Sequence, residues 1–240
     1  MKPPEPLLRS MRPVWSGISD FSRLPRTLRV CGVIVVLLAF FAQPDGSVVA
    51  ADAVSPAEAD ERARGASIYR EHCIFCHGAH GEGYISDNAV ALGGQDFLTT
   101  VSDEFLARSI ANGRPGTWME AFSKARGGPL GSSEIQAIVA FIRGWQREAS
   151  VDFDSASVAG DAGKGRGLYA TQCAECHGRV GQGVTAVSLN NPEYLAAVSN
   201  AQIRWAISRG RRGTPMPAYS EKLSSGDIDN LVALIRSWQP

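Results

Sequence analysis

Cys73-Ile74-Phe75-Cys76-His77 decides the reading of this chain, and it returns as Cys173-Ala174-Glu175-Cys176-His177. Both copies have the spacing C-x-x-C-H. Two thiols three positions apart lie on one helical turn, and a histidine follows at once. A C-x-x-C pair alone fits half of a zinc site or a dithiol redox pair, and two pairs together fit one four-thiolate zinc site. Those readings leave unexplained the histidine in each copy, Gly78 and Gly178 after it, and a methionine downstream. Haem c attachment explains the cysteines and the histidine: the thiols add to the two vinyl groups of one haem, and the imidazole reaches its iron. The motif therefore predicts two covalently bound haem c groups. One is held by Cys73 and Cys76 with His77 on the iron, the other by Cys173 and Cys176 with His177.

The chain has 240 residues, which allows one or two domains. Lys+Arg and Asp+Glu are both 24, a net charge of zero. With no basic stripe interleaved with aromatics, nucleic acid is not an expected partner. The haem motifs use four of the five cysteines and leave Cys31, so no structural disulfide is expected in the folded part.

The N-terminus reads as targeting. Residues 1–29 carry Lys2, Arg9, Arg12, Arg23, Arg26 and Arg29 against Glu5 and Asp20. The apolar run 30–42 follows, short for a membrane span and suited to a signal-peptide core. Small residues near Ala50 and Ala53 offer cleavage sites. Residues 1–53 are thus a signal peptide or, if retained, a membrane anchor through 30–42, with the rest of the chain exported.

Ser55-Pro56-Ala57-Glu58 has the pattern of a capping box and predicts a helix from about 56 to 71 that delivers Cys73 at its end. Gly78 to Gly83 reads as a flexible loop. Asp103 to Ala111 has a helical apolar face, and a final helix carries Ile135, Ile138, Val139 and Ile142, capped by Ser132 or Ser133. Residues 148–160 lack periodicity and read as a linker. The second half repeats the first. Gly65 and Tyr69 return as Gly165 and Tyr169, Gly113-x-x-Gly116-Thr117-x-Met119 as Gly210-x-x-Gly213-Thr214-x-Met216, and Trp145 as Trp238. The expected organisation is a domain over 54–147, a linker over 148–160 and a duplicate over 161–240.

On these residues each half resembles a class I c-type cytochrome domain, and 56–239 resembles the diheme cytochromes c. The resemblance implies an all-α fold of two tandem domains, each a small helical bundle around a covalently bound haem that compensates for a small core. It implies that the two end helices cross with Gly65 or Gly165 against an aromatic. Phe141 fits that role in the first half. Leu234 stands at its counterpart, leaving Trp238 as the candidate in the second. Such cytochromes receive their haem on the outer side of the bacterial membrane, so a periplasmic location is expected.

Met119 and Met216 are the methionines beyond the N-terminal segment, at matching places. The shared Gly-Thr-x-Met context makes them the expected sixth ligands, and a thioether favours ferrous iron. The first loop has Trp118 and Glu120 where the second has Pro215 and Pro217. His72 and His80 read as surface or propionate-side residues. Residues 54–147 carry net −2 and 161–240 net +3, with Arg204, Arg209, Arg211 and Arg212 just before Met216. That cluster reads either as a solvated face with propionate partners or as a docking patch, at Arg209, Arg211 and Arg212, for an acidic redox partner.

The function expected is single-electron transfer between redox partner proteins in a respiratory or photosynthetic chain, without bond chemistry. The first alternative is a membrane-anchored cytochrome subunit of a larger oxidoreductase. A diheme peroxidase or a thiosulfate-oxidising cytochrome is disfavoured. Two axial ligands per iron leave no open site, and no further cysteine stands near either haem.

Overall fold

The computed structural model describes residues 54–83, 88–153 and 158–240. The targeting segment 1–53, with the apolar run 30–42, lies outside the described residues. Among the described residues the elements are helices, with one isolated bridge between Ser123 and Leu130. No described helix is long and apolar enough to cross a membrane.

Helix α1 spans Pro56–His72 and starts as the sequence predicts. Ser55 Oγ accepts from the Glu58 N–H at 3.3 Å, while the Glu58 carboxylate accepts from the Ser55 N–H at 2.9 Å. Cys73 ends it and leads into the single turn α2, Ile74–His77. Then come α3, Gln95–Leu98, and α4, Asp103–Asn112 with Ser102 as its cap. Helix α5 spans Ser132–Arg143. Its cap differs from expectation. Gly131 is the capping residue, and the Glu134 carboxylate accepts from the Gly131 N–H at 2.7 Å. Reaching back from the third helical position, Glu134 satisfies the exposed donor, and Ser132 becomes the first helical residue. The second half repeats the order with α6, Ala162–Gln172; α7, Ala174–His177; α8, Pro192–Ala197; α9, Asn200–Arg209; and α10, Ser225–Arg236.

The first and last helices of each half cross with their backbones in contact. A Cβ on Gly65 would stand 1.9 Å from the Ala137 carbonyl oxygen, and one on Gly165 would stand 2.1 Å from that of Asn230. Only a glycine permits this approach. Beside Gly65 lies Phe141 Cβ, and beside Gly165 lies Leu234 Cβ, at 3.0 and 3.1 Å. Leu234, not Trp238, therefore fills the crossing in the second half. Trp238 lies just past the end of α10 and reaches the next layer, edge-on to Tyr169 at 5.1 Å and over Gly181. Trp145 does the same to Tyr69, at 5.3 Å, and to Gly81. Each half buries its own apolar cluster, around Tyr69, Leu98 and Ile138 in one and Tyr169, Leu195 and Leu231 in the other, with Tyr194 packed against both.

The halves meet along a polar seam. Asp96, at the start of α3, is buried and accepts from the Arg212 N–H at 2.6 Å and from Arg212 Nε at 2.7 Å. Arg211 donates to the Asp96 carbonyl and to Thr100 Oγ1, and Gln202 donates to the Thr100 carbonyl. From the other side Asn112 donates to the Glu193 carboxylate at 2.9 Å, and Asn191 to the Pro115 carbonyl at 2.9 Å. The stretch read as a linker takes part: Glu148 pairs with Arg212 at 2.7 Å, and the Val151 N–H donates to Thr99 at 2.8 Å. Burial pushes the Asp96 carboxyl up, but the Arg212 bonds and the Arg211 and Arg212 charges together hold it below the usual carboxylate value.

Two outcomes follow for equilibrium urea unfolding of the holoprotein. Gly65→Ala and Gly165→Ala each lose about 2 kcal/mol or more, because a helix must back away from its partner. Gly167→Ala, with open space around its Cβ, is neutral or gains up to about 1 kcal/mol. Equal effects at 165 and 167 would contradict the crossing. Asp96→Asn loses on the order of 2 kcal/mol at pH 7. A carboxyl lowered in the folded state contributes above its unfolded value, about 3.9, and loses that contribution as pH falls through its folded value. The gap between parent and Asp96→Asn therefore closes below about pH 4.

Candidate functional site

The two cysteine–histidine turns are built alike. The Cys73 and Cys173 N–H groups donate to Tyr69 and Tyr169 at 2.8 and 2.9 Å. The same tyrosines, almost wholly buried, send their hydroxyls back to the carbonyls of Gly78 and Gly178 at 2.9 Å in each half. Gly78 and Gly178 adopt φ of +83° and +82°, a left-handed conformation that turns the chain after the histidine. The tyrosine thus clamps the motif at both ends. Gly78 to Gly83, read as flexible, is a tied loop: the Gly83 N–H donates to His77 at 2.8 Å and Gly93 to Gly81 at 2.8 Å.

Both histidines are held in one tautomer. His77 Nδ1 lies 3.0 Å from the Val90 carbonyl oxygen, and His177 Nδ1 lies 2.8 Å from that of Val187. A carbonyl only accepts, so each Nδ1 carries the proton and each Nε2 keeps a free lone pair. Burial, the larger effect, lowers both pKa values against the opposing pull of the carbonyl bond, so both rings are neutral at pH 7. A neutral imidazole with Nδ1–H fixed by a carbonyl is the state a metal-ligating histidine needs.

The thiols argue against dithiol redox chemistry. Burial, with the neighbouring thiol second, pushes Cys73 up to about 12 and Cys173 up to about 11. With no metal beside them they stay protonated at neutral pH, unlike the low-pKa nucleophile of a dithiol redox pair. Among the described residues no three His, Cys, Asp or Glu side chains converge on a metal position. What fits is a pair of unpaired thiols one turn before an imidazole with an open Nε2, twice over.

The methionine loops share one hydrogen-bond skeleton. The Arg114 N–H donates to the Met119 carbonyl at 2.8 Å, and Thr117 Oγ1 donates to Arg114 at 2.8 Å while accepting from the Met119 N–H at 3.2 Å. Arg211, Thr214 and Met216 repeat this at 3.1, 2.8 and 3.2 Å. Trp118 and Glu120 thus build the same loop as Pro215 and Pro217. Three residues past each methionine an aromatic returns to the residue before the first cysteine. The Phe122 ring lies 5.8 Å from His72, and Tyr219 Oη donates to the Gln172 carbonyl at 2.8 Å. The methionine loop and the cysteine turn of each half are so drawn to one end of the bundle.

His72 is accordingly half-buried against Phe122, and His80 is exposed. Of the arginine cluster, Arg211 and Arg212 are turned onto the first half, and exposed Arg209 lies over the Trp205 ring at 6.0 Å. Sequence reasoning passed over Arg143 and Arg236. Arg143 donates to the carbonyls of Leu98 and Val101, and Arg236 to those of Leu195 and Val198, pinning the corner before α4 and α9. Their recurrence at one repeat position was the available signal.

Comparison with known proteins agrees with this geometry. The family model for cytochrome c oxidase, cbb3-type, subunit III matches residues 60–142 and again 160–235. The cbb3-type cytochrome c oxidase subunit CcoP of Azospirillum sp. (strain B510) is 28% identical over 191 residues, covering 73% of this chain and 61% of that protein. The cytochrome bc1 complex cytochrome c subunit of Corynebacterium diphtheriae is 26% identical over 205 residues, covering 77% of this chain and 70% of that protein. A chain of the Kuenenia stuttgartiensis reducing HAO-like protein complex aligns with a TM-score of 0.47 at 20% identity, covering 74% of this chain and 96% of that one; the assignment does not rest on it. The chain spans about three-fifths of the length of the Azospirillum relatives. With the family model matched twice along its length, this chain belongs to the cbb3-type cytochrome c oxidase subunit III family, as a tandem pair of class I cytochrome c domains with two covalently bound haem c groups.

Proposed function

We propose that this protein carries single electrons between redox partner proteins through two haems, one held by Cys73 and Cys76 with His77 and Met119 on its iron, the other by Cys173 and Cys176 with His177 and Met216. One observation supports this above the others: both histidines present a free Nε2 lone pair because Nδ1 is bound to a main-chain carbonyl. When bound, the haem supplies a one-electron ferric/ferrous couple whose potential a methionine ligand raises. The residues around it hold and shield. Tyr69 and Tyr169 fix the turn that carries the histidine, and Thr117 and Thr214 fix the methionine backbone. With His77 and Met119, and His177 and Met216, as the residues that would hold each iron, substrate would find no open position, which favours a carrier over a peroxidase.

A second reading concerns context. Relatives named as cbb3 oxidase and bc1 complex subunits favour a role as the cytochrome subunit of a respiratory oxidoreductase. In that reading the domains of 54–147 and 161–240 face the periplasm and the segment 30–42 tethers them. A redox partner that docks by charge on Arg209, Arg211 and Arg212 is less favoured, since Asp96, Thr100 and Glu148 already engage two of the three.

The haem assignment is tested by mass spectrometry with haem staining. The parent should exceed its polypeptide mass by two haems, and the Cys73→Ala, Cys76→Ala variant by one. A variant that keeps both haems, or a parent with bound zinc and none, would sink the proposal.

A further inference from the structure

Arg114 opens the first methionine loop, and its backbone fixes its place. Its N–H donates to the Met119 carbonyl, and its own carbonyl accepts from Thr117, so the residue cannot drift from the ligand it precedes. Its side chain turns into the seam between the halves. The guanidinium carbon lies 5.5 Å from the Phe105 ring centroid and 5.6 Å from that of Tyr194. These rings stand edge to face, at 85° and 6.5 Å.

The charge is weakly compensated. Among the described residues the guanidinium makes one hydrogen bond, a long one of 3.3 Å to Ser109 Oγ, and pairs with no carboxylate. The nearest acidic influence, Glu193, is engaged by Asn112 and Arg108. Aromatic faces solvate the cation instead. The counterpart in the second half is differently placed. Arg211 bonds the Asp96 carbonyl and Thr100, beside the Asp96 carboxylate that also feels its charge.

We propose that Arg114, held between Phe105 and Tyr194 and tied through its N–H to the Met119 carbonyl, raises the reduction potential of the first centre and so biases an electron shared between the halves toward the first. Reduction adds one electron from a partner protein and takes one positive charge off the iron site. A neighbouring cation in a poorly solvated place favours the less positive state. Arg114 is a positioning residue, since it acts on the centre through space and through the loop that carries Met119. The proposal rests on the haem reading of His77 and Met119.

The test is a spectroelectrochemical titration of the full-length holoprotein. The two midpoints are assigned by reference to the Cys173→Ala, Cys176→Ala chain, which carries the first centre alone. Arg114→Gln should lower the first midpoint by at least the equivalent of a tenfold shift in electron sharing, about 59 mV for one electron, and leave the second in place. Arg114→Lys should restore most of it, and Glu193→Gln, which strips negative charge from beside the arginine, should shift it upward. An unmoved first midpoint in both neutral variants, with both haems present, overturns the proposal. A parent lacking the first haem overturns the haem reading instead.

Discussion

The close crossing at Gly65 and Gly165 is the constraint on which the rest depends. Two helix backbones in contact leave no room for a side chain between them, and the carbonyls of Ala137 and Asn230 occupy the place a Cβ would take. With the crossing fixed, α1 and α6 deliver Tyr69 and Tyr169 to the floor of each half. The first cysteine follows four residues on, at the helix end. The tryptophans past α5 and α10 close over the same tyrosines and over Gly81 and Gly181. One packed layer therefore sets the positions of both thiols and of the histidine after them.

Above that layer, main-chain groups do most of the positioning. Carbonyls of Val90 and Val187 set the imidazole tautomers, and carbonyls of Gly78 and Gly178 hold the tyrosines. This suits a site that must not move when its charge changes, since less reorganisation accompanies each electron. The seam extends the restraint across both halves. Asp96, Arg212 and Glu148 fix the first half to the second, and Tyr194 packs against the apolar clusters of both.

Much of this was legible in the chain because the repeat supplies its own control. The Cys-x-x-Cys-His turns, the glycines of the crossing and the Gly-Thr-x-Met loops each recur, and the structure gives both copies one hydrogen-bond skeleton. The starts of α1 and α4 fall where the sequence places them. The shortfalls have physical reasons. Trp238 was assigned to the crossing because an aromatic was sought there, but β-carbon contact with Leu234 suffices, and Trp238 lies a turn too far along. The cap of α5 was read one or two residues late, at Ser132 or Ser133, because Glu134 can reach back to a glycine that has no side chain of its own. The arginines before Met216 look like a free basic patch in sequence, since their partners Asp96 and Glu148 lie at least 60 positions away. Arg143 and Arg236 were missed because their partners are carbonyls, which no sequence pattern marks.

The central claim is that each half holds one haem between a histidine and a methionine. Proton NMR of the fully reduced, diamagnetic protein tests it most directly. A methionine methyl seated over a porphyrin face lies in the shielding region of the ring current. The account predicts two separate methyl signals shifted far upfield, one from Met119 and one from Met216. A spectrum with no such signal, or with one in a protein shown to carry two haems, would contradict it.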